Sequence, residues 1–338
     1  MANFVPANDI YKKHFKLRDP PSRACVEIPL PEQVAAVADC MAFEGTRQVL
    51  HVQSISQWAP SCIGAYSQAS GLGCPGGGLW FLAGQIGLDP PTMKVKTPAV
   101  EEVRQCVANC GAVLQVLKSS WERVLSCVVY VSSARLEREP GLAKVIQETT
   151  ETAVATSKAP AVFILVPCLP RDCCVEIQLV AFDSRIKPLF DAIPVRSVEG
   201  SPEHSSTRCL SVGASNLFSF LWASSSADVP TSEDFEALVS ECRSHISSFK
   251  LPFGKVWVVR IFYKQQLDLT YVRHGVFSAF SCIFGAVPAM SFIPVSGELG
   301  GRKGSQPTIS LQMHCINIPA ISNTMQKIVD GTYDSQEE

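Results

Sequence analysis

Apolar residues recur in this sequence with two different periods, and the two periods alternate in a fixed order. Between residues 63 and 182, strand-like runs alternate with two segments whose apolar residues return every three or four positions. The strands predicted there are 79–83, 124–131 and both halves of 160–182, and the helices are 100–117 and 142–154. The pattern returns with strands at 218–223, 256–263 and within 288–315, and helices at 235–249 and 272–284. With a strand-like segment at 63–69 before its other elements, the first stretch predicts a unit of order β-β-α-β-α-β-β, and the second stretch repeats this order from its second strand onward.

The segment that closes the first unit also occurs near the N-terminus, where residues 21–43 align without a gap to residues 160–182. Three matches share an offset of 139 residues (160−21, 169−30 and 181−42): Pro21 with Pro160, Leu30-Pro31 with Leu169-Pro170, and Ala42-Phe43 with Ala181-Phe182. Each segment indicates a strand, a Leu-Pro turn and a second strand. A helical pattern over residues 7–15 precedes the N-terminal copy. We therefore predict two whole units and the C-terminal part of another one before them.

This repeat divides the chain into predicted domains, with linkers at residues 44–48 and 188–204. The divisions are a remnant of a first unit (1–46), a complete unit (51–185), a linker (186–204), a divergent unit (205–320) and a disordered tail (321–338). The fold class is α+β, in which a mixed sheet carries two helices on one face of each unit. Since only the end of the first unit is recognisable, we expect the sequence to be a fragment, an isoform or a truncated product.

Composition narrows the possible functions. Hydrophobic residues make up 46% of 338, and the formal net charge of −2 gives no general attraction to nucleic acid or anionic membrane. The sequence lacks an apolar run of about 20 residues and a secretory signal, which favours a cytoplasmic protein without a membrane partner. The 14 cysteines are scattered and the 6 histidines isolated, so we expect reduced core thiols and no metal site.

Several short motifs, in this order and spacing, resemble the RidA (YjgF) family. They are IGAYSQA at 63–69, AGQI at 83–86, a helix with Gln105 and Asn109, VVYV at 128–131, Pro160-Ala161 and VEI at 175–177. The segment PPSRACVEIPLP at 20–31 resembles the signature that ends such a domain. This resemblance implies an enamine or imine deaminase whose ligand sits between the subunits of a trimer.

A narrower resemblance is to the C-terminal half of the eukaryotic diphthine–ammonia ligase family. It rests on the RidA-like tail running directly into HVQSISQWAPSCIGAYSQA at 51–69, followed by GLDPPTM at 87–93. The resemblance implies a role in diphthamide synthesis on elongation factor 2, with ATP used by a separate N-terminal module. Glycine clusters at 76–78 and 300–304 lack the order of a phosphate-binding loop, so we expect no cofactor in this chain and no ligation by it alone.

The RidA resemblance also implies site residues. An arginine that anchors a substrate carboxylate falls on Arg23, and a water-orienting glutamate falls on Glu176. A site tyrosine falls on Tyr66, and a site asparagine falls on Asn8. The arginine position is Val162 in the middle unit and Met290 in the last, and the glutamate position is Val37 in the first copy and Ser310 or Leu311 in the last. No single copy holds the whole set.

We therefore hypothesise that the copies form a pseudo-trimer with one composite site between the first and middle copies. Arg23 could instead be a surface arginine, Glu176 could lie on the solvent face of a strand, and Tyr66 could serve packing alone. Three functions remain open. They are the RidA-like region of a diphthine–ammonia ligase, an independent imine deaminase, and an RNA-binding relative, which the acidic balance disfavours.

Overall fold

The computed structural model describes residues 4–15, 18–41, 47–74, 77–157, 159, 161–184, 208–214, 218–225, 227–248, 256–298 and 308–316. The predicted linker at 186–204 and the predicted disordered tail at 321–338 lie outside these ranges. In the described ranges, no helix is long and apolar enough to cross a membrane.

The described elements follow the predicted order from residue 79 onward, but they also include short strands and one helix that the sequence did not predict. The N-terminal helix is α1 (Phe4–His14). The middle unit comprises β1 (Arg47–Leu50), β2 (Ala69–Cys74), β3 (Gly77–Leu82), β4 (Gln85–Ile86), α2 (Ala99–Val116), β5 (Val124–Ser132), α3 (Ser133–Arg138), α4 (Leu142–Val154), β6 (Ala161–Val166) and β7 (Val175–Phe182). The last unit comprises β8 (Arg208–Ala214), β9 (Phe218–Ser225), α5 (Ser232–Ser248), β10 (Val256–Lys264), α6 (Leu269–Phe284), β11 (Met290–Val295), β12 (Gly297–Glu298) and β13 (Ile309–Ile316).

Both units have the same sheet topology, which confirms the α+β class and the mixed sheets. The middle sheet runs β1-β2-β3-β7-β5-β6-β12, with β4 also paired to β7, and the last runs β11-β10-β13-β9-β8. The pairs β5/β6 and β10/β11 are parallel, because a helix connects their strands, and the other pairs are antiparallel. Strand β12 of the last unit pairs with β6, so it belongs to the sheet of the middle unit.

Two sequence predictions about the N-terminal copy are wrong. Residues 21–41 do not form the two predicted strands, and we call residues 18–41 the arm because they cross the middle unit as irregular, extended chain. A strand needs a neighbouring strand for its ladder, and the arm bonds to loops and side chains instead, as at Gly84 N–H to Arg23 O (3.1 Å) and Ser22 N–H to Ser70 Oγ (3.0 Å). The predicted linker at 44–48 ends in strand, because Arg47 and Gln48 pair with β2.

Each sheet has two differently covered faces. Helices α2 and α4 pack on one face of the middle sheet around a core that includes Val103, Leu114, Ile146 and Phe182. Helices α5 and α6 cover the last sheet in the same way. Helix α6 has both of its ends capped: the Asp268 side chain accepts from Tyr271 N–H, and Gly285 is left-handed (φ 72°). These helices leave the opposite sheet faces free to meet each other.

The helix-free faces and the arm bury one shared hydrophobic cluster. The arm contributes residues such as Ala24 and Val26, the middle unit contributes Tyr130 and Ile164, and the last unit contributes Phe262. The arm and the two units therefore pack around a common apolar centre.

A polar network beside this cluster joins the same three parts. Arg260 on β10 donates to the carboxylate of Asp39 in the arm, and Ser291 Oγ lies 3.1 Å from the other carboxylate oxygen. Arg260 also reaches Gln312 at 3.4 Å, and Gln312 donates to Ser126 of the middle unit at 3.1 Å. Arg260 therefore lies at the interface with the arm and not on an exposed surface.

Replacing Arg260 by alanine should lower the free energy of unfolding by roughly 2 kcal/mol, because it leaves a largely buried carboxylate without its cation. The side chains of Arg260 and Asp39 are 16% and 19% exposed. Urea unfolding measures the change. Arg104→Ala, which breaks a pair whose arginine is 63% exposed, is the control and should cost less than about 0.5 kcal/mol. Equal losses in the two variants would contradict the prediction.

Candidate composite site

The arm and α1 lie against one end of the middle unit, and this is where the candidate site forms. Backbone and side-chain hydrogen bonds hold the arm there, including Ser67 Oγ to Pro20 O at 2.7 Å and Glu27 N–H to Cys168 O at 3.3 Å. The arm therefore places its side chains beside the IGAYSQA segment and the start of β7.

Arg23 lies between two aromatic rings. Its guanidinium carbon is 4.2 Å from the ring centroid of Tyr11 and 6.0 Å from that of Tyr66, within range for cation–π attraction. The guanidinium also donates to the Asn8 side-chain oxygen. Asn8, in turn, donates its amide to Phe4 O at 2.9 Å, which fixes the orientation of that oxygen. The interpretation of Arg23 as a simple surface residue does not fit this half-buried setting.

Glu176 lies opposite, on β7, and is only 4% exposed. Its Oε1 accepts from Cys25 N–H at 3.4 Å, and its Oε2 is buried without a hydrogen-bond partner among the described residues. Burial raises the pKa of Glu176 to about 8, although the Cys25 N–H and the Arg23 charge act to lower it. The prediction that Glu176 could lie on a solvent face is wrong, since the arm covers that face. At neutral pH the carboxyl is mostly protonated.

Tyr66 is buried beside these two residues. Its hydroxyl oxygen accepts from Ile63 N–H at 3.4 Å, and burial raises its pKa well above the ordinary value, so it stays a neutral phenol. Gly64 next to it allows close approach: a Cβ there would lie 3.2 Å from Arg23 Nη2 and 3.3 Å from Asn8 Oδ1. The structure thus brings together all four residues that the sequence predicted, namely Asn8, Arg23, Tyr66 and Glu176.

A cavity of about 30 Å³ remains between these groups. It is lined by Phe4, Arg23, Cys25, Ile63, Tyr66, Gly84, Ile86, Pro170 and Glu176. Such a volume holds about two water molecules. The cavity has a cationic wall, a neutral carboxyl and otherwise apolar sides.

Sequence reasoning missed four contributors to this site: Phe4, Tyr11, Cys25 and Gly84. Tyr11 follows Asn8 by three residues and so shares its helix face, a signal that was available. Gly84 belongs to the AGQI motif, but its role depends on Glu176 packing directly over it. Burial raises the pKa of the Cys25 thiol, which keeps it protonated and weakly reactive.

The equivalent positions in the other copies lie elsewhere. Val162 is buried in the shared apolar cluster, and Met290 packs on the core of the last unit. Val37 is 54% exposed on the arm, and Ser310 and Leu311 are buried in β13. None of these side chains carries a positive charge that could pair with a carboxylate or a carboxyl group that could act as a base. In the described residues, no group of three His, Cys, Asp or Glu side chains is arranged to hold a metal ion.

The pKa of Glu176 makes stability depend on pH. Its folded value of about 8 lies above the ordinary value of 4.5, so the folded state binds more protons and stability falls as pH rises from about 5 to 8. Relative to Glu176→Gln, the free energy of unfolding of the unaltered chain should fall by up to about 1.4 kcal/mol for each pH unit in this window. Urea unfolding at pH 5, 7 and 9 measures this difference. Glu148→Gln, at an exposed ion pair, should show no such trend, and a pH-independent difference for Glu176→Gln would refute the assignment.

Gly84 should tolerate no side chain, because a Cβ there would lie 1.8 Å from Glu176 Oε1. Gly84→Ala should displace the carboxyl and weaken ligand binding by roughly tenfold or more, about 1.4 kcal/mol. Isothermal calorimetry with 2-oxobutanoate, a small 2-oxo acid of the kind that the RidA resemblance implies as a ligand, measures the effect. Gly111→Ala on α2 is the control, because its backbone is not left-handed and its Cβ would come no closer than 3.3 Å to a neighbouring side chain, that of Trp121. Unchanged affinity in Gly84→Ala would show that the ligand does not use this cavity.

Comparison with known proteins places this fold in a class. The family model described as Endoribonuclease L-PSP matches residues 56–183. A RutC family protein of Synechocystis is 33% identical over 125 residues, which cover 36% of this chain and 89% of that protein. The chain therefore belongs to the RidA family, to which this model and the RutC proteins correspond.

A second similarity is more particular. The diphthine–ammonia ligase of Schizosaccharomyces pombe is 34% identical over 186 residues, covering 54% of this chain and 29% of the ligase. That alignment is longer than the 128 residues (183−56+1) of the family match, so it includes sequence outside the central domain. The chain spans less than a third of this relative's length. The solved structure of RidA from a Psychrobacter species is 22% identical and covers 40% of this chain and 98% of its own, with a TM-score of 0.34.

Proposed function

We propose that this chain is the RidA-like region of a diphthine–ammonia ligase and that it supplies a binding site for a small carboxylate ligand. The similarity to the yeast ligase beyond the central domain supports the first part. The second part rests on one observation: the arm brings the Arg23 guanidinium and the buried Glu176 carboxyl to one cavity. The parent ligase would act on diphthine in elongation factor 2, which would then be the partner of the whole protein.

The proposal assigns no ATP-dependent step to this region. The glycine cluster at 76–78 does not suit a phosphate, because Gly77 and Gly78 pair with Cys74 and Gly73 in the β2/β3 ladder and no helix begins there. The second cluster, at 300–304, lies outside the described residues. Activation of the diphthine carboxylate by ATP would belong to another module of the parent protein, so this region would not ligate by itself.

The geometry also favours a second function, hydrolysis of a small imine such as 2-iminobutanoate. A guanidinium can hold the ligand carboxylate with two charge-assisted hydrogen bonds. A carboxyl with a pKa of about 8 is ionised in about a tenth of molecules at pH 7, enough to act as a general base. In this scheme, water adds to C2, the C2=N π electrons move to the nitrogen, and Glu176 takes one proton from the water and passes it to the nitrogen. Glu176 then takes the proton of the new C2 hydroxyl and passes it to the nitrogen as well. The C2–N bond breaks as C2=O forms, which releases ammonia and yields 2-oxobutanoate.

Two measurements separate these functions. Ammonia release from 2-iminobutanoate by the 338-residue chain tests the hydrolysis, and calorimetric titration with 2-oxobutanoate tests binding. Binding without hydrolysis would favour the ligase region alone. Hydrolysis that is lost in Arg23→Ala would favour the deaminase. Absence of both would overturn the composite ligand site. Diphthamide formation by the full-length parent with and without Arg23→Ala would test whether the site serves the ligase.

A further inference from the structure

A second buried carboxylate, Glu102, lies outside the cavity and has no part in the proposed chemistry. It belongs to the first turn of α2 and is 1% exposed. Burial raises its pKa, while the hydrogen bond from Cys174 N–H and the charge of Arg135 act to lower it. Burying a carboxylate costs several kcal/mol unless it is well paired, so its partners indicate what it does.

Those partners belong to one loop, which we call the wall loop (residues 169–174). Glu102 Oε1 accepts from Cys174 N–H at 2.6 Å. Its other oxygen lies 3.4 Å from Arg135 Nη1, and the same nitrogen donates to Asp172 O at 2.6 Å. Pro170 of this loop lines the cavity, and the loop leads directly into Glu176. Glu102 therefore bonds directly to Cys174 at the end of the wall loop, and it reaches Asp172 in the middle of the loop through Arg135.

The wall loop needs such support because its backbone is strained. Arg171 and Asp172 have φ values of 61° and 55°, in the left-handed region that non-glycine residues rarely adopt. Besides the bond to Arg135, Arg138 binds both carboxylate oxygens of Asp172, at 2.8 and 3.1 Å, from the solvent side. Without the buried anchor, the loop could relax away from the cavity.

Helix α2 also fixes the opposite wall. Asn109 donates to the carbonyls of Ile86 and Leu88, both at 2.9 Å, next to the Gly84–Ile86 side of the cavity. A Cβ on Gly87 would lie 2.3 Å from the Glu102 carbonyl oxygen, so the chain that follows β4 packs directly against α2. One helix therefore sets the separation of two cavity walls, with Glu102 and Asn109 as its contacts.

We propose that Glu102 is a positioning residue of the composite site: it holds the wall loop closed over Glu176 and so keeps water away from that carboxyl. Glu102 does not touch the cavity and acts through the loop. The proposal rests on the proposed function only for its ligand readout, since exclusion of water from Glu176 can be measured without a ligand.

The test is a titration of the Glu176 carboxyl carbon by NMR in the full chain with ¹³C-labelled glutamate. Glu102→Ala should let water reach Glu176 and lower its pKa by about one unit or more. Glu102→Gln retains an acceptor for Cys174 N–H, so the Glu176 pKa in this variant should stay close to that in the unaltered chain. Glu101→Ala, at the adjacent exposed position of the same helix, is the control. With 2-oxobutanoate, Glu102→Ala should bind about tenfold more weakly, whereas the control should bind normally.

Arg135→Gln provides an independent variant if Glu102→Ala does not fold. It removes the ion pair with Glu102 and the hydrogen bond to Asp172 O. Like Glu102→Ala, it should therefore lower the Glu176 pKa. An unchanged Glu176 titration in a folded Glu102→Ala chain, or in Arg135→Gln if the former does not fold, would overturn the assignment. If the unaltered chain binds no 2-oxobutanoate, the proposed function fails, but the titration still decides the role of Glu102.

Discussion

Replacement of Arg23 by alanine is expected to weaken binding of 2-oxobutanoate by roughly 100-fold. A carboxylate held by a guanidinium gains about 1.5–3 kcal/mol from charge-assisted hydrogen bonds, and 2.7 kcal/mol corresponds to about 100-fold. Arg23 is the cation that lines this cavity, and the corresponding positions in the other copies are Val162 and Met290. Isothermal calorimetry at pH 7 and low salt measures the change directly.

Two further variants sharpen this experiment. Arg23→Lys retains the charge but loses the planar fork and the stacking between Tyr11 and Tyr66, so it should show an intermediate affinity. Arg18→Ala removes an exposed guanidinium five residues earlier on the same arm, with a side chain that is 92% exposed, and should leave the affinity unchanged. Equal weakening by Arg18→Ala and Arg23→Ala would indicate general electrostatic attraction instead of a specific anchor.

Glu176→Gln is expected to reduce hydrolysis of 2-iminobutanoate by about 10²–10⁴-fold while leaving 2-oxobutanoate binding within a few-fold of normal. The amide has nearly the shape of the neutral carboxyl but cannot accept a proton from water. The unaltered chain should also show kcat/KM rising about tenfold per pH unit up to about 8 and then levelling, as the basic form of Glu176 accumulates. Steady-state ammonia release between pH 6 and 9.5 measures both effects.

The position of the plateau discriminates between mechanisms. A plateau that begins near pH 5 would mean that Glu176 is not the base, or that water reaches it. Glu101→Gln, an exposed carboxylate on α2, should leave the profile unchanged. If Glu176→Gln hydrolyses the imine normally, Glu176 is not the general base of this hydrolysis.

The arm explains how residues of two copies meet at one cavity. The arm supplies the Arg23 guanidinium and the Cys25 N–H. The middle unit supplies the Glu176 carboxyl and the Tyr66 phenol. The same arm is tied to the last unit through Asp39 and Arg260. All three copies therefore contribute to one arrangement, although only the first and middle copies line the cavity.

Much of the fold was readable from the sequence. The offset of 139 residues between Pro21 and Pro160 revealed the repeat, and helical periodicity located α2 and α4 to within one residue. Such local patterns survive because each unit buries its own apolar stripe against its own sheet. The four nominated site residues followed from motifs that the family resemblance supplied, and their adjacency was a hypothesis.

What the sequence alone determined is thus the order of elements and the identity of the groups available for chemistry. The tertiary structure decided how those groups behave. Cys25 and Glu176 are 151 positions apart, and only the path of the arm over β7 makes one a donor to the other and buries the carboxyl. The arm is not a strand, because no neighbouring strand pairs with it. The raised pKa of Glu176, the need for Gly84 and the anchoring by Glu102 follow from contacts between distant segments, and no local pattern of residues encodes such contacts.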